Sequence, residues 1–458
     1  MTARRTTPLA AGGALAALVA VSLAACAPGP SSPAGGGGSA SLAPVSTAVP
    51  TDKTTLTVWD QNTDGGISDA QDQLNKAFMQ KYPNVTVNRV SRSFSDLKTT
   101  LKLALSGDNP PDVVQANQGY PDMGAFVKAG YLRPMSDYAK LYGWDSYYPS
   151  SLLKLNSFSA DGKTWQGDNL YGVSQTGELV GVYYNAAVLK KAGVNQPPTT
   201  IDELTADMAK VKAAGTLPLS YGDVEKSPGI HLYGVVLSAL AGAQSVTDLV
   251  GGKSGSWTDA NPVKAAQTIT DWQSKGYITP GANGVSRDAA VTTFGQGGSA
   301  FLITGTWYQA TLEKAPAASD LRFTALTPSG SSTPVTMGGE GLAWAITSKA
   351  KTPDVAAAYI DFITDEAASK VLVQTGNLPT VVPSGDSPKE GTIAGDITTR
   401  YQAISKSNGI TPYLDYATPT FYDTLTAGMQ DLVAGQATPQ QFTEKIQADY
   451  GEFVKSNG

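Results

Sequence analysis

The chain has 458 residues, a formal net charge of −6, one cysteine and one histidine. It is long enough for two domains, and its acidic balance argues against nucleic acid and against electrostatic attachment to an anionic membrane surface. A single histidine excludes an HExxH zinc site or a multi-histidine metal cluster, and a single cysteine excludes an internal disulfide.

In chain order, the N-terminus reads as an export signal. Arg4 and Arg5 precede the apolar residues 9–25, a run too short and too rich in small residues for a stable membrane span. Leu23-Ala24-Ala25-Cys26 resembles a bacterial lipobox. The resemblance implies a signal peptide over residues 1–25 and lipidation of Cys26 outside the membrane. The arginine pair leaves Sec and twin-arginine export both open. Residues 26–51 contain no charged side chain and are expected to form a flexible tether spanning roughly 25–30 Å on average.

The folded part is expected to begin at the strand Leu56-Thr57-Val58-Trp59, followed by a polar loop and a helix capped by Ser68 with Leu74 and Phe78 inward. Val85-Thr86-Val87 reads as a strand. Ser95 is expected to cap a helix carrying Leu97, Leu101 and Leu105 at i, i+4, i+8, and Val113-Val114-Gln115-Ala116 is the next strand. This strand–helix alternation predicts a βαβ sheet. A crossing to a second lobe is expected at Leu170-Tyr171-Gly172-Val173. A strand over residues 179–184 follows, then a helix opened by Asn185 and another headed by a Thr200-x-x-Glu203 capping box. Asn261-Pro262 starts a further helix.

Residues 294–308, FGQGGSAFLITGTWY, run from a helix end through a glycine turn into an apolar strand. Gly305-Thr306 then lifts Trp307 to the carboxyl end of that strand, where open α/β sheets place ligands. After a strand over residues 322–326, Met337-Gly338-Gly339 is read as the return crossing and residues 341–346 as a strand. Thr352-Pro353 heads a helix with Val355, Tyr359 and Phe362 inward. Thr438-Pro439-x-Gln441 caps a late helix with Phe442, Ile446 and Tyr450 on one face.

Enzyme signatures are weak. A Ser-His-Asp triad would need His231, yet there is no GxSxG elbow. Ser95-x-x-Lys98 matches SxxK without its SDN and KTG companions. Gly338-Gly339-Glu340-Gly341 leads into a strand, unlike a phosphate loop. A glycosidase needs only two carboxylates and stays open.

Together these motifs resemble the family 1 extracellular solute-binding proteins, the oligosaccharide-binding lipoproteins of ABC importers. The likeness rests on Leu56-Thr57-Val58-Trp59, Asn109-Pro110-Pro111-Asp112 and Gly130-Tyr131-Leu132. It rests further on Tyr183-Tyr184-Asn185 with Leu189-Lys190-Lys191-Ala192-Gly193, on Phe294-Gly295-Gln296-Gly297 with Gly305-Thr306-Trp307, and on Gly338-Gly339-Glu340-Gly341. It implies an α/β, two-lobed periplasmic-binding-protein fold (type II-like), with a ligand cleft and crossover hinge strands. Lobe 1 would hold residues 52–172 and 338–395, and lobe 2 residues 173–337 and the C-terminal helices of 396–458. The chain would be a monomeric sugar receptor, with no cofactor, metal or catalytic residue, partnered by permease subunits and held to the membrane by its lipid. The alternatives are the same fold with a non-sugar solute, or a secreted glycosidase.

A sugar site needs aromatic plates and fixed polar groups. Trp59 ends the first strand, with Asp60 and Gln61 at the loop mouth behind it, and Asn117 and Gln118 follow the third, where amides suit hydroxyl contacts. Gly339 and Glu340 sit at the return crossing. The resemblance adds Trp307 as the stacking tryptophan, Glu178 as a cleft acid, and Tyr416 as an aromatic ahead of the late helix. It also adds Asp223, although the tryptophan that often follows this aspartate in the family is absent. His231 is read as a satisfied helix-start residue and Trp344 as core.

Overall fold

A computed structural model describes residues 44–63, 65–383, 385 and 388–457; the signal segment and Cys26 lie outside them. In chain order the strands are β1 (Thr54–Asp60), β2 (Val85–Ser91), β3 (Val113–Ala116), β4 (Ser157–Phe158), β5 (Asn169–Leu170), β6 (Val173–Ser174), β7 (Gly177–Asn185), β8 (Leu217–Ser220), β9 (Ser299–Gly305), β10 (Leu321–Thr324), β11 (Thr336–Glu340), β12 (Ala343–Ile346) and β13 (Ile410–Thr411).

These strands form two principal sheets, one per lobe. The first has the order β2-β1-β3-β12-β6, with β1 parallel to β2 and β3 and β12 antiparallel to its neighbours. The second runs β13-β11-β7-β9-β8, and β10 also pairs with β7. Helices cover both. In the first lobe, helix Gly65–Lys81 buries Leu74 and Phe78 against helix Pro353–Thr364, where the Phe78 and Tyr359 rings meet edge-on at 5.3 Å. In the second, helix Ser227–Ala241 is apolar on nearly every face and correspondingly buried. Trp344 is fully buried.

Local chemistry explains most of the helix starts. Asn185 accepts from the Val188 amide, and Ser286 from that of Ala289. Thr438 and Gln441 bond reciprocally, as a capping box requires. In the Thr200 box the return arm differs: Glu203 turns to the backbone and hydroxyl of Thr199. Two expected caps move. Ser93, not Ser95, accepts from the Asp96 amide. The helix assigned to Ser68 already starts at Gly65, and the Ser68 hydroxyl accepts instead from Arg89. The expected tether also ends early. Val45 and Val49 pack on the first-lobe core, the Ser46 amide donates to Asp354, and Asn84 donates to the Pro50 carbonyl.

The crossings lie a few residues beyond the expected ones. Val173 pairs with Trp344 inside the first sheet, so the chain leaves that sheet at Gln175-Thr176. Gly338 and Gly339 belong to β11, paired with β7, so the return is Gly341-Leu342. Residues 377–380 make a third passage, with Pro379 bridged to Thr176, well before the expected boundary at 395–396; Val382 and Ile393 already pack with the second-sheet core. The three run side by side: the Gly341 amide donates to the Thr176 carbonyl at 2.9 Å, and the Thr380 amide to that of Gln175 at 3.1 Å.

Candidate ligand-binding cleft

The carboxyl ends of β1 and β3 and those of β9 and β11 border one cavity of about 250 Å³, next to the crossings. Gln61 continues from β1, Asn117 and Gln118 from β3, Trp307 from β9 and Glu340 ends β11. Glu178 enters from the start of β7, and Tyr416 from the turn after β13. Seven of the residues singled out from the sequence thus line one cleft.

Trp307 sits in the single turn Thr306–Tyr308, half-buried. Its ring lies over Gly305, where an added Cβ would fall 2.0 Å from it, so only glycine leaves room for the plate. Its other neighbour is the His231 ring, 5.1 Å away and tilted by 55°. Tyr413 donates to the Glu178 carboxylate at 2.9 Å, and the Tyr416 hydroxyl to the Gln118 carbonyl at 3.0 Å. Gln118 in turn donates to the Gly341 carbonyl at 2.8 Å, tying the cleft wall to the return crossing.

Three of the lining carboxyls are costly to ionise. Desolvation pushes Glu340 up to about 8, against the opposing effect of hydrogen bonds that include one from Asn156 at 2.6 Å. It pushes Glu178 up to about 7 and Asp415 up to about 6. Arg287 is the one cation among the described lining residues. Aromatic faces, amides and acids around such a cavity suit an uncharged polyhydroxylated ring. No group of three or more His, Cys, Asp or Glu side chains able to hold a metal occurs among the described residues.

Four of the sequence candidates lie elsewhere. Asp60 is fully buried in a two-pronged pair with Arg89, at 2.7 and 3.1 Å. Trp59, on the alternate face of β1, is covered by the Arg92 guanidinium 4.5 Å from its ring. Asp223 is buried and accepts from the Gly229 amide, capping the first turn of helix Ser227–Ala241. Gly339 serves the backbone: its φ of +118° favours glycine, and its carbonyl accepts from Tyr401. The residues not foreseen include Asn62, Gln115, Tyr413, Asp415 and His231. His231 is buried and its Nδ1 has no partner, so the satisfied helix-start reading fails.

Residues 73–398 match the family described as bacterial extracellular solute-binding protein. The chain belongs to that family. The binding protein is 26% identical over 339 residues to an uncharacterised ABC transporter extracellular-binding protein of Pyrococcus horikoshii, covering 72% of this chain and 71% of the other. It is 21% identical over 315 residues to the multiple sugar-binding protein of Streptococcus mutans, covering 67% and 70% respectively. Among solved structures, a chitin oligosaccharide binding protein superposes with a TM-score of 0.76 at 22% identity. That match covers 88% of this chain and 99% of the other, and establishes a common fold.

Proposed function

We propose that this binding protein captures a sugar, an oligosaccharide, in the cleft and delivers it to the permease subunits of an ABC importer without turning it over. The observation that carries the reading is the Trp307 plate, seated on Gly305 and facing a wall of amides and carboxyls. A flat aromatic recognises the C–H face of a pyranose, while fixed amides and acids recognise its hydroxyls. The sugar-binding names of the Streptococcus mutans relative and of the structural neighbour support the same class. An anionic solute would want a cluster of cations, and Arg287 is the one cation among the described lining residues. The lipobox-like tetrad at Cys26 supports attachment by a lipid to the extracellular face of the cell membrane; Cys26→Ala would release the protein into the medium.

A calorimetric screen of xylo-, malto-, cello- and galacto-oligosaccharides tests the proposal. Saturable binding without new reducing ends is the expected result. Release of reducing ends would replace the receptor with a glycosidase, and no binding to any sugar would remove the sugar assignment.

A further inference from the structure

His231 is the only histidine of the chain. It occupies the fifth position of helix Ser227–Ala241, lines the cleft and is 8% exposed. Its ring packs against Trp307 at 5.1 Å and against Tyr413 at 6.3 Å, and so belongs to the aromatic wall. Packing alone would be served as well by phenylalanine. A buried imidazole also carries two nitrogens that need partners.

The two nitrogens differ. Nδ1 is sealed inside the protein without a hydrogen-bond partner. A sealed N–H without an acceptor is rarer in native proteins than an unfilled lone pair, which places the ring proton on Nε2. Nε2 is not among the sealed atoms, and no described residue accepts from it. Desolvation, reinforced by the charge of Arg287, holds the ring well below the usual histidine range, at about 3, so it is neutral in ordinary buffers. The result is a fixed, uncharged donor beside the tryptophan plate, with its partner absent from the protein.

We infer that His231 is a specificity-determining ligand contact, donating from Nε2–H to an oxygen of the sugar ring that lies against Trp307. This rests on the sugar-receptor reading above and adds a named donor to it. A tryptophan face tolerates many pyranoses, because stacking reads the C–H surface and not the orientation of hydroxyls. A donor held rigidly by a buried helix selects rings with an oxygen at the matching position.

The test uses tag-free protein and whichever member of the xylo-, malto-, cello- and galacto-oligosaccharide panel binds the wild type tightest. His231→Phe preserves the ring packing and removes the donor; it is expected to weaken binding at least about tenfold, with an unchanged melting temperature. His231→Gln, which restores an N–H donor, is expected to recover part of the loss. In the wild type, the single histidine gives one set of ring nitrogen resonances, expected to report the Nε2–H tautomer and to shift at Nε2 on saturation. Equal affinity of His231→Phe and wild type, or an unmoved Nε2 resonance, would reduce His231 to packing and leave the receptor standing. Should the wild type bind no panel sugar, the receptor reading falls and this contact with it. If His231→Phe fails to fold, the nitrogen resonance decides alone.

Discussion

The two walls of the cleft are built on different terms. On the first-lobe side the polar groups are already engaged, save the buried Asn62 Nδ2. Gln115 accepts from the Gln61 amide at 2.8 Å, Asn117 donates to Asp122, and Gln118 is held between Tyr416 and the Gly341 carbonyl. On the second-lobe side Trp307 presents a half-buried ring, and His231 Nε2 is not sealed and has no acceptor among the described residues. The engaged wall is a rigid frame whose amides keep spare capacity, since each carboxamide has more lone pairs and protons than its protein partners use. The aromatic wall holds groups that the protein itself does not satisfy. Discrimination between ligands is therefore expected to come mostly from the aromatic side, and alignment from the amide side.

The comparison can be broken most forcefully at Gly305. Gly305→Ala puts a methyl group into the Trp307 ring and is expected to displace the plate, weakening sugar binding by about a hundredfold, or about 2.7 kcal/mol; calorimetry at wild-type affinity would show that the plate does not contact ligand. Trp307→Ala, which leaves the scaffold intact, should cost at least about tenfold, near 1.4 kcal/mol, with little change in melting temperature. A large drop in melting temperature at constant affinity would make Trp307 a core plug.

Glu340 sharpens the picture through pH. Its folded pKa of about 8 lies above the ordinary carboxyl value, so the folded state binds the extra proton. The stability it contributes is full below about pH 4.5 and lost as pH rises through 8, with a limiting slope of about 1.4 kcal/mol per pH unit. Denaturant titrations at pH 5, 6.5 and 8 should show that decline, to which Glu178 and Asp415 add, and Glu340→Gln should make it shallower, most visibly between pH 6.5 and 8. The smallest effect belongs to the engaged wall: Tyr416→Phe removes one bond to Gln118 and should lower stability by about 1 kcal/mol while changing affinity less than threefold or so. An affinity loss as large as that of Trp307→Ala would erase the distinction between the walls.

The sequence carried the fold further than the site. Caps at Asn185 and Thr438 were legible because they are local, a hydroxyl or amide three residues from the donor it meets. The place of Trp307 at the strand end was legible because Gly305 and the strand before it are contiguous, and its stacking role came from the family resemblance. Asp60 and Trp59 were misplaced by one and two positions: the chain turns into the cleft only at Gln61, after β1 has ended. Arg89 and Arg92, which engage them, lie on or just beyond a different strand, and no spacing rule reports that pairing. His231, Tyr413 and Gln115 come from three distant stretches and meet only through packing. The shift of both crossings toward the C-terminus has the same origin, since pairing partners such as Val173 with Trp344 are set across the fold.

The carbonyl of Gly341 receives both the Gln118 amide and the Ser174 hydroxyl, and an added Cβ on that glycine would stand 2.7 Å from the Glu178 carboxylate. The pivot between the lobes and the lining of the cleft thus share atoms. A solute that recruits Gln118 or Glu178 alters the bonds that set the angle between the lobes, so occupancy and bending are linked in a single free energy and each must report on the other. In the proposed receptor, a permease that senses only the outer contour would read that bend, set by the same few groups proposed to hold the cargo.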